Sequence, residues 1–253
     1  MMSSMFYLLA GIFLPLFPLS MLFNMLYGRL RQPFIRCLLL LLWPQIGLVI
    51  IATYSADSVP AWLIAWGLLT SLLYALRTLA LRDVGLWTSF VGTSAWALIW
   101  ILLGTGANIL QMEIFSLGIS VPLLLMTSLS AGLERRFGAA YLGLYGGLAQ
   151  TIPRFSTILV IVVLAIVATP LFPTFFAMLS MILNATPTAP LVATGVIVVW
   201  LLWSWAGARL LQGLVVGPVR TAVADLSHGA LWTYIVVLAG LLIAGLYWSE
   251  MML

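Results

Sequence analysis

Eight apolar segments recur along the chain, and they limit its possible folds more than any other feature. Each is about 18 to 25 residues long, the length a helix needs to cross the roughly 30 Å hydrocarbon layer of a bilayer. Of the 253 residues, 64% are hydrophobic and only 6% are charged, which excludes a soluble globular protein. The sequence therefore predicts an all-α, polytopic membrane helix bundle, a single integral membrane domain over residues 1–253. The predicted spans are residues 5–27, 36–54, 60–80, 86–104, 110–132, 155–182, 190–214 and 230–248.

The sixth span carries two prolines, Pro170 and Pro173, where its helix should be continuous. Each proline removes a backbone donor and clashes with the preceding turn, so we expect a kink or a break there. Carbonyls freed at membrane depth must be buried against protein or line a cavity, which places this span inside the bundle. It is either a kinked core helix or a discontinuous helix at an ion or substrate path.

The basic residues predict the orientation of the chain in the membrane. All ten are arginines, and every one falls in or beside the loops on one side of the eight predicted spans. The positive-inside rule makes that side cytoplasmic and places both termini outside. The net charge of +4 therefore reflects topology and does not indicate nucleic-acid binding. The arginines are Arg29, Arg31, Arg36, Arg77, Arg82, Arg135, Arg136, Arg154, Arg209 and Arg220; Asp57, Glu113 and Glu250 fall on the other side.

Several smaller features have structural interpretations. The first span lacks a basic flank and a cleavage pattern, so we expect it to be retained, with bends at Pro15 and Pro18. The lone Gln45 is expected to bond a neighbouring helix. Cys37 is the only cysteine, which excludes an intramolecular disulfide or a cysteine metal cluster. The tryptophans predict interface anchors and packing, not a cofactor site. The glycines of the 133–153 connection lack the strand and lysine of a phosphate-binding loop.

No residue at the middle of a predicted span can carry a proton near neutral pH. Lys, Asp, Glu and His are all missing from these positions, whereas a proton relay in a membrane needs ionisable groups. The hydroxyls and amides found there can hydrogen-bond and line a wet passage, but they do not form a relay by themselves. Catalysis is equally unsupported, since the chain has one histidine and no nucleophile beside a base or paired carboxylates. We expect no catalytic, metal or cofactor site.

From about Tyr74 onward, the order of short motifs resembles the C-terminal half of the antiporter-like membrane subunits. Examples are the run into Asp83, the Ser116-Leu117-Gly118 triplet, and Leu133-Glu134-Arg135-Arg136 followed by a Tyr-Gly-Gly-Leu sequence. These subunits occur in NADH-quinone oxidoreductase (subunit M), multisubunit cation/proton antiporters and DAB-type inorganic-carbon accumulation complexes. The resembling segments are 74–83, 116–118, 133–136, 145–148, 169–178, 203–218 and 245–247, so residues 74–249 carry the resemblance and residues 1–70 only weakly.

The departures from that family fall on its protonatable positions. Carried over by motif, the family's turn lysine is Gly85 here, its helix histidine is Leu117, and the glutamate of its broken helix is Met178. A full family member has about fourteen helices. The resemblance therefore implies half of an antiporter-like subunit whose proton path is degenerate, with Pro170 and Pro173 marking the family's helix break.

Three functions follow from this reading. The first is a degenerate antiporter-like subunit, mainly structural, that packs in a larger complex in the bacterial inner membrane, with a full-length antiporter-like subunit as partner. That complex would be NADH-quinone oxidoreductase-like, a cation/proton antiporter or an inorganic-carbon (CO2 or bicarbonate) uptake system. The second is a proton- or cation-translocating subunit that lines a path whose titratable groups come from a partner chain. The third is an unrelated stand-alone transporter or membrane enzyme. All three place the chain in a lipid bilayer.

Overall fold

The computed structural model describes residues 2–54, 59–144, 146–218 and 223–252. In this part of the chain the regular elements are helices, and they run in the order α1 (Met2–Phe13), α2 (Met21–Arg29), α3 (Pro33–Tyr54), α4 (Ala61–Ala80), α5 (Val84–Ala97), α6 (Ile99–Gly104), α7 (Ile109–Phe137), α8 (Leu148–Thr151), α9 (Pro153–Ile166), α10 (Pro173–Ala185), α11 (Pro190–Val215) and α12 (His228–Met252).

The helices form the polytopic bundle that the sequence predicts. Within the described residues, six helices are long and apolar enough to cross a bilayer: α3, α4, α5 continued by α6, α7, α11 and α12. The remaining two predicted spans are each divided into a pair of shorter helices, α1 with α2 and α9 with α10. Six continuous and two divided spans make up the predicted eight.

The loops that carry arginines meet at one end of the bundle, which we call the arginine-rich end. Arg36 Nη1 on α3 lies 3.9 Å from Glu134 Oε1 near the end of α7. The Val84 amide donates to the Ala140 carbonyl at 3.0 Å and joins the start of α5 to the segment after α7. Arg136 donates from Nε to the Ala224 carbonyl at 2.9 Å, which adds the segment before α12. Arg220 and Asp57 lie outside the described residues.

The centre of the bundle is formed by α5, α6 and α7. The apolar window of α5 with α6 is 83% buried and that of α7 is 78% buried, whereas that of α12 is only 17% buried. Four tryptophans, Trp87, Trp96, Trp100 and Trp203, are fully buried in this core, while Trp62, Trp205 and Trp232 are exposed. The tryptophans therefore include both buried core residues and exposed surface residues.

The sixth span is broken where its prolines predict. Helix α9 ends at Ile166 and α10 begins at Pro173, so residues 167–172 form a connection at membrane depth. Two non-glycine residues in this connection, Ala168 and Leu171, have positive φ angles of 55° and 85°. Such angles are uncommon for L-residues and are not helical, so they interrupt the span. The helix is therefore discontinuous, while its place on an ion or substrate path stays a prediction.

The first span is interrupted more completely than the sequence suggests. We expected bends at Pro15 and Pro18, but α1 ends at Phe13 and α2 begins only at Met21. Two prolines three residues apart remove two amide donors from one turn. The chain therefore contains two broken spans, with breaks at residues 14–20 and 167–172.

Candidate functional site

Backbone carbonyls freed by the first break are capped by indoles from surrounding helices. An unpaired carbonyl at membrane depth is costly, because no water is available to bond it. The indole Nε1 atoms of Trp43, Trp66 and Trp100 donate to the carbonyls of Ile12, Phe17 and Leu14 at 3.1, 2.7 and 3.0 Å. The Phe17 amide in turn donates to Thr70 Oγ1 at 3.0 Å. The tryptophans were expected to act as interface anchors and in packing. Their capping role was not predicted, although the nearby Pro15 and Pro18 indicate that backbone groups are freed there.

A row of polar side chains leads from this break along one face of α2. Ser20, Asn24 and Tyr27 are spaced four and three residues apart, which places them on the same side of the helix. Each bonds a hydroxyl on a different neighbouring helix. The pairs are Ser20 Oγ with Tyr74 OH at 2.9 Å, Asn24 Nδ2 with Thr93 Oγ1 at 3.0 Å, and Tyr27 OH with Thr127 Oγ1 at 2.8 Å. We call these six residues the α2 polar lane.

The polar lane ends beside a half-buried guanidinium at the arginine-rich end. Arg36 lies over the Tyr27 ring, 5.2 Å from its centroid, and donates from Nε to the Leu30 carbonyl at 2.6 Å. Its side chain is 17% exposed and faces Glu134 across 3.9 Å. The lane thus runs from the break at residues 14–20 to a charged cluster at the surface of the bundle.

Gly85 lies within this charged cluster. A Cβ placed on Gly85 would be 3.1 Å from Asp83 Oδ1, 3.6 Å from Arg36 Nη1 and 4.0 Å from Ser130 Oγ. The Ser130 hydroxyl is buried and has no hydrogen-bond partner among the described residues. The position that the resemblance assigns to a lysine is therefore surrounded by polar groups, and a cation on another helix already lies beside it.

Three other hydrogen bonds between polar groups join helices near the core. Ser94 on α5 donates to the Ser71 carbonyl at 2.8 Å, and Trp203 Nε1 on α11 donates to Ser94 Oγ at 2.9 Å. Gln45 Nε2 donates to Ser116 Oγ at 3.2 Å, which confirms the expectation that this glutamine bonds a neighbouring helix. These contacts connect α4, α5 and α11, and α3 with α7.

The second break is capped mostly by its own threonines. The Thr169 hydroxyl donates to the Leu164 carbonyl at 3.0 Å, and the Thr174 hydroxyl donates to the Ala165 carbonyl at 3.2 Å. Trp200 Nε1 supplies a third donor, to the Val167 carbonyl at 3.0 Å. Beyond Thr174, the buried side chains of α10 include Ala177, Met178 and Met181. The buried Ser180 hydroxyl accepts from Asn184 Nδ2 on the same helix at 3.2 Å, so among the described residues α10 has no row of side-chain bonds to several neighbouring helices like that of α2.

The three positions matched to the family's protonatable residues lie in different settings. Gly85 is buried at the arginine-rich end, and Met178 is completely buried on α10. Leu117 is 36% exposed on α7, while its neighbours Ser116 and Ser120 are fully buried. Helix α7 meets the start of α10 through Gly118, where a Cβ would be 3.1 Å from Pro173 Cβ.

The buried polar side chains of the described residues do not titrate near neutral pH. They belong to Ser, Thr, Tyr and Trp, with the half-buried Asn24 and Gln45 beside them. The ordinary pKa of Tyr is near 10, and amides, aliphatic hydroxyls and indole do not ionise in this range. In the part of the chain that the structure describes, no three His, Cys, Asp or Glu side chains form a group that could hold a metal ion. The interior is therefore polar in places and uncharged.

Comparison with known proteins identifies the fold. No protein-family model matches the sequence, and no curated protein matches it significantly. Among solved structures, a chain of respiratory complex I from Thermus thermophilus superposes with a TM-score of 0.84 at 21% identity, over 96% of this chain and 54% of that one. A chain of the Mrp complex from Dietzia sp. DQ12-45-1b gives 0.82 at 16% identity, over 96% and 55%. A chain of the archaeal membrane-bound sulfane sulfur reductase gives 0.82 at 19%, over 96% and 52%.

These similarities establish a shared fold. The chain is a multi-pass helical membrane protein with the fold of membrane subunits from complex I, Mrp and sulfane sulfur reductase complexes. It spans about half the length of each of these solved chains, between 52% and 55%.

Proposed function

We propose that this chain is an antiporter-like membrane subunit of a larger complex, with a mainly structural role and no proton conduction of its own. The fold similarity to chains of three multisubunit membrane complexes supports an assembled state. The motif resemblance favours an NADH-quinone oxidoreductase-like complex, a cation/proton antiporter or an inorganic-carbon uptake complex. In each, the chain is a membrane-embedded part and not a catalytic one, and its partners are other membrane subunits, including a full-length antiporter-like subunit.

The main support for this proposal is that the interior of the described helix bundle holds no charged side chain. A proton relay needs groups that gain and lose a proton inside the membrane. The charged residues in the described helices, including Arg36, Arg77, Glu113, Glu134 and Arg209, lie toward helix ends, and the buried polar groups are hydroxyls, amides, phenols and indoles. At the second break, the matched position is the buried thioether of Met178. These features support a degenerate proton path at Gly85, Leu117 and Met178.

We also propose an orientation in a bacterial inner membrane. The arginine-rich end faces the cytoplasm, because basic residues are retained on that side during insertion. An even number of spans then places both termini on the opposite side.

A second candidate is a subunit that lines a hydrated path whose titratable groups come from a partner chain. The α2 polar lane favours it, since six hydrogen-bonding side chains run from the first break toward Arg36. Hydroxyl and amide groups can orient water without titrating. A stand-alone transporter is the third candidate, and it is the one that needs no partner.

Affinity capture from native membranes tests the assembled state. The tagged chain is extracted in mild detergent and its stoichiometric companions are identified by mass spectrometry. We expect another antiporter-like membrane subunit in fixed proportion to the chain. An unrelated multi-pass protein with the same tag and expression level serves as the control for co-extraction. Recovery of the chain alone, folded and without a stoichiometric companion, would contradict the proposal and favour the stand-alone transporter.

A further inference from the structure

A cavity at the arginine-rich end, outside the α2 polar lane, is lined by two arginines. Its volume is about 560 Å³, and it lies between the α4–α5 connection, the loop after α7 and the last turns of α11. This volume is in the range of pockets that hold small ligands, roughly 300–1,000 Å³. The polar side chains that line it are Arg82, Tyr141, Arg209 and Gln212.

The two arginines of the cavity lack carboxylate partners in the described part of the chain. Among the described residues, no carboxylate lies within ion-pair distance of Arg82 or Arg209, and the ion pair found there joins Arg36 to Glu134. Arg209 donates from Nη1 to the Leu79 carbonyl near the end of α4, which fixes its guanidinium at the cavity wall. Guanidinium groups bind phosphate oxygens through several N–H donors at once. The cavity therefore offers two positive charges to an anion.

The nearest carboxylate, Asp83, caps a helix and also interacts with Tyr141 on the cavity wall. Asp83 Oδ1 accepts a hydrogen bond from the Leu86 amide at 2.8 Å and caps the start of α5. The charge of Asp83, with smaller contributions from burial and a hydrogen bond between the two side chains, raises the pKa of Tyr141 above its ordinary value. Tyr141 therefore stays protonated near neutral pH, with its hydroxyl paired with Asp83, and the positive charge at the cavity comes from the two arginines. With one carboxylate beside two guanidinium groups, the surroundings of the cavity remain net positive.

The walls of the cavity are held by backbone bonds. The Leu142 amide donates to the Arg82 carbonyl at 2.8 Å, and Asp83 pairs with Tyr141 as a single antiparallel bridge. These bonds connect the α4–α5 connection to the loop after α7. Arg82 and Tyr141 therefore lie on two segments that are hydrogen-bonded to each other.

An exposed apolar face of α11 leads directly to the cavity. Arg209 and Gln212 continue a row in which Val198, Leu201 and Trp205 are 40%, 64% and 66% exposed. The spacings along this row are three, four, four and three residues, so its members lie on one side of the helix. A tryptophan one turn before an arginine is typical of the boundary between hydrocarbon and headgroups. The face thus offers an apolar track that ends in two polar side chains and a cationic pocket.

We propose that this cavity holds the phosphate of an anionic phospholipid whose acyl chains lie along the Val198, Leu201 and Trp205 face of α11. Basic pockets between transmembrane helices at the headgroup level have the charge and depth that such lipids need. Among phosphate-bearing ligands, the adjoining apolar face selects the lipid over a soluble phosphate. The proposal depends on the position of the pocket in the bundle and not on the transport function of the chain.

Native mass spectrometry of the full chain tests the proposal. The purified protein is titrated with phosphatidylglycerol, with phosphatidylcholine of the same acyl chains, and with inorganic phosphate. We expect one phosphatidylglycerol to bind more tightly than phosphatidylcholine, and millimolar phosphate not to displace it. The double substitution R82Q/R209Q should weaken phosphatidylglycerol binding by about fivefold for each arginine removed. The control pair R29Q/R31Q removes two exposed arginines from the same end and should leave binding unchanged.

A second variant controls for a folding defect. It is needed because Arg209 also hydrogen-bonds the backbone of α4, and R209Q removes that bond. Q212E adds a negative charge to the cavity without removing that bond, and it should weaken phosphatidylglycerol binding while leaving phosphatidylcholine binding as it was. Equal affinity for the two lipids, or equal losses in both arginine pairs, would overturn the proposal. Complete displacement of phosphatidylglycerol by inorganic phosphate would instead identify a soluble phosphate ligand and overturn the assignment to a lipid.

Discussion

The two broken spans share a cause and differ in what surrounds them. Each contains two prolines three residues apart, Pro15 with Pro18 and Pro170 with Pro173. At the first break, three indoles from other helices cap the carbonyls, and the next helix carries the α2 polar lane. At the second, threonines of the span itself supply two of the donors, and α10 buries methionines. Paired prolines thus mark both breaks, whereas the single prolines Pro44 of α3 and Pro122 of α7 lie within continuous helices. The two breaks differ in the donors that cap them and in the polarity of the helix that follows.

The substitution M178E should destabilise the protein most, because it places a charge beside the apolar second break. In M178E a carboxylate replaces a completely buried thioether on α10, where the buried neighbours include Ala177 and Met181. We expect a cost of roughly 2.5 to 3.5 kcal/mol on insertion-type scales and a lower yield of folded protein, measured by size-exclusion chromatography. M178L, which keeps the site apolar, is the control. At the first break, N24D should cost less because the Thr93 hydroxyl, 3.3 Å from Asn24 Oδ1, can donate to the new carboxylate.

Normal assembly of M178E would show that the surroundings of the second break tolerate charge. A gain of proton-dependent activity in that variant would further show that the path is intact. Either result would remove the distinction between a polar first break and an apolar second one.

A methyl group at Gly245 should disturb the second break from the side of α12. A Cβ at this position would collide with the backbone of Leu171 and Phe172, which cannot move as a flexible side chain does. We expect G245A to cost about 1–3 kcal/mol through overpacking and to lower the midpoint of thermal unfolding in detergent. G240A on the same helix is the control, since nothing lies within 4 Å of its Cβ. Equal thermal unfolding midpoints for the two variants would mean that α12 does not pack closely against the second break.

Replacing one capping indole should isolate its hydrogen bond at the first break. W100F removes the donor to the Leu14 carbonyl, whereas W96F removes an indole N–H that is buried without a partner among the described residues. Both side chains are fully buried, so the loss of volume is similar. We expect W100F to be less stable than W96F by about 1–2 kcal/mol, the cost of leaving a buried carbonyl unpaired. Indistinguishable thermal midpoints would contradict the capping role.

The smallest effect is expected within the α2 polar lane. Y27F removes the hydroxyl that pairs with Thr127, but Thr127 Oγ1 keeps its bond to the Leu123 carbonyl. The loss should therefore be about 0.5–1.5 kcal/mol, as for an ordinary hydrogen bond. T127V, which removes the other partner and leaves the Tyr27 hydroxyl buried, should cost more. The reverse order in thermal unfolding would contradict this expectation, because removing the Tyr27 hydroxyl would then cost more than leaving it buried without Thr127.

Much of the fold could be predicted because membrane spans are recognised by length and hydropathy. The eight spans, the break at Pro170 and Pro173 and the bond from Gln45 all follow from residues considered one segment at a time. The interruption at residues 14–20 was underestimated as a bend, since the sequence does not show that Trp43, Trp66 and Trp100 surround it. Indole donors lower the energetic cost of a complete break because they replace the lost helical hydrogen bonds.

The α2 polar lane was missed for a related reason. The four-and-three spacing of Ser20, Asn24 and Tyr27 was visible, but their partners lie 54, 69 and 100 residues away in sequence. Only the packing of α4, α5 and α7 around α2 shows that the three side chains form one row. The roles assigned to Gly85, Leu117 and Met178 stay predictions that rest on motif resemblance.

Proton flux through the isolated chain tests the central claim most directly. The purified full chain is reconstituted into vesicles that contain a pH-sensitive dye, and a cation gradient is imposed. Vesicles without protein are the negative control, and vesicles with a working cation/proton antiporter are the positive control. Because the described interior holds no group that titrates near neutral pH, we predict a response equal to that of protein-free vesicles. A robust, protein-dependent proton flux driven by the cation gradient would contradict the account and identify the chain as a transporter in its own right.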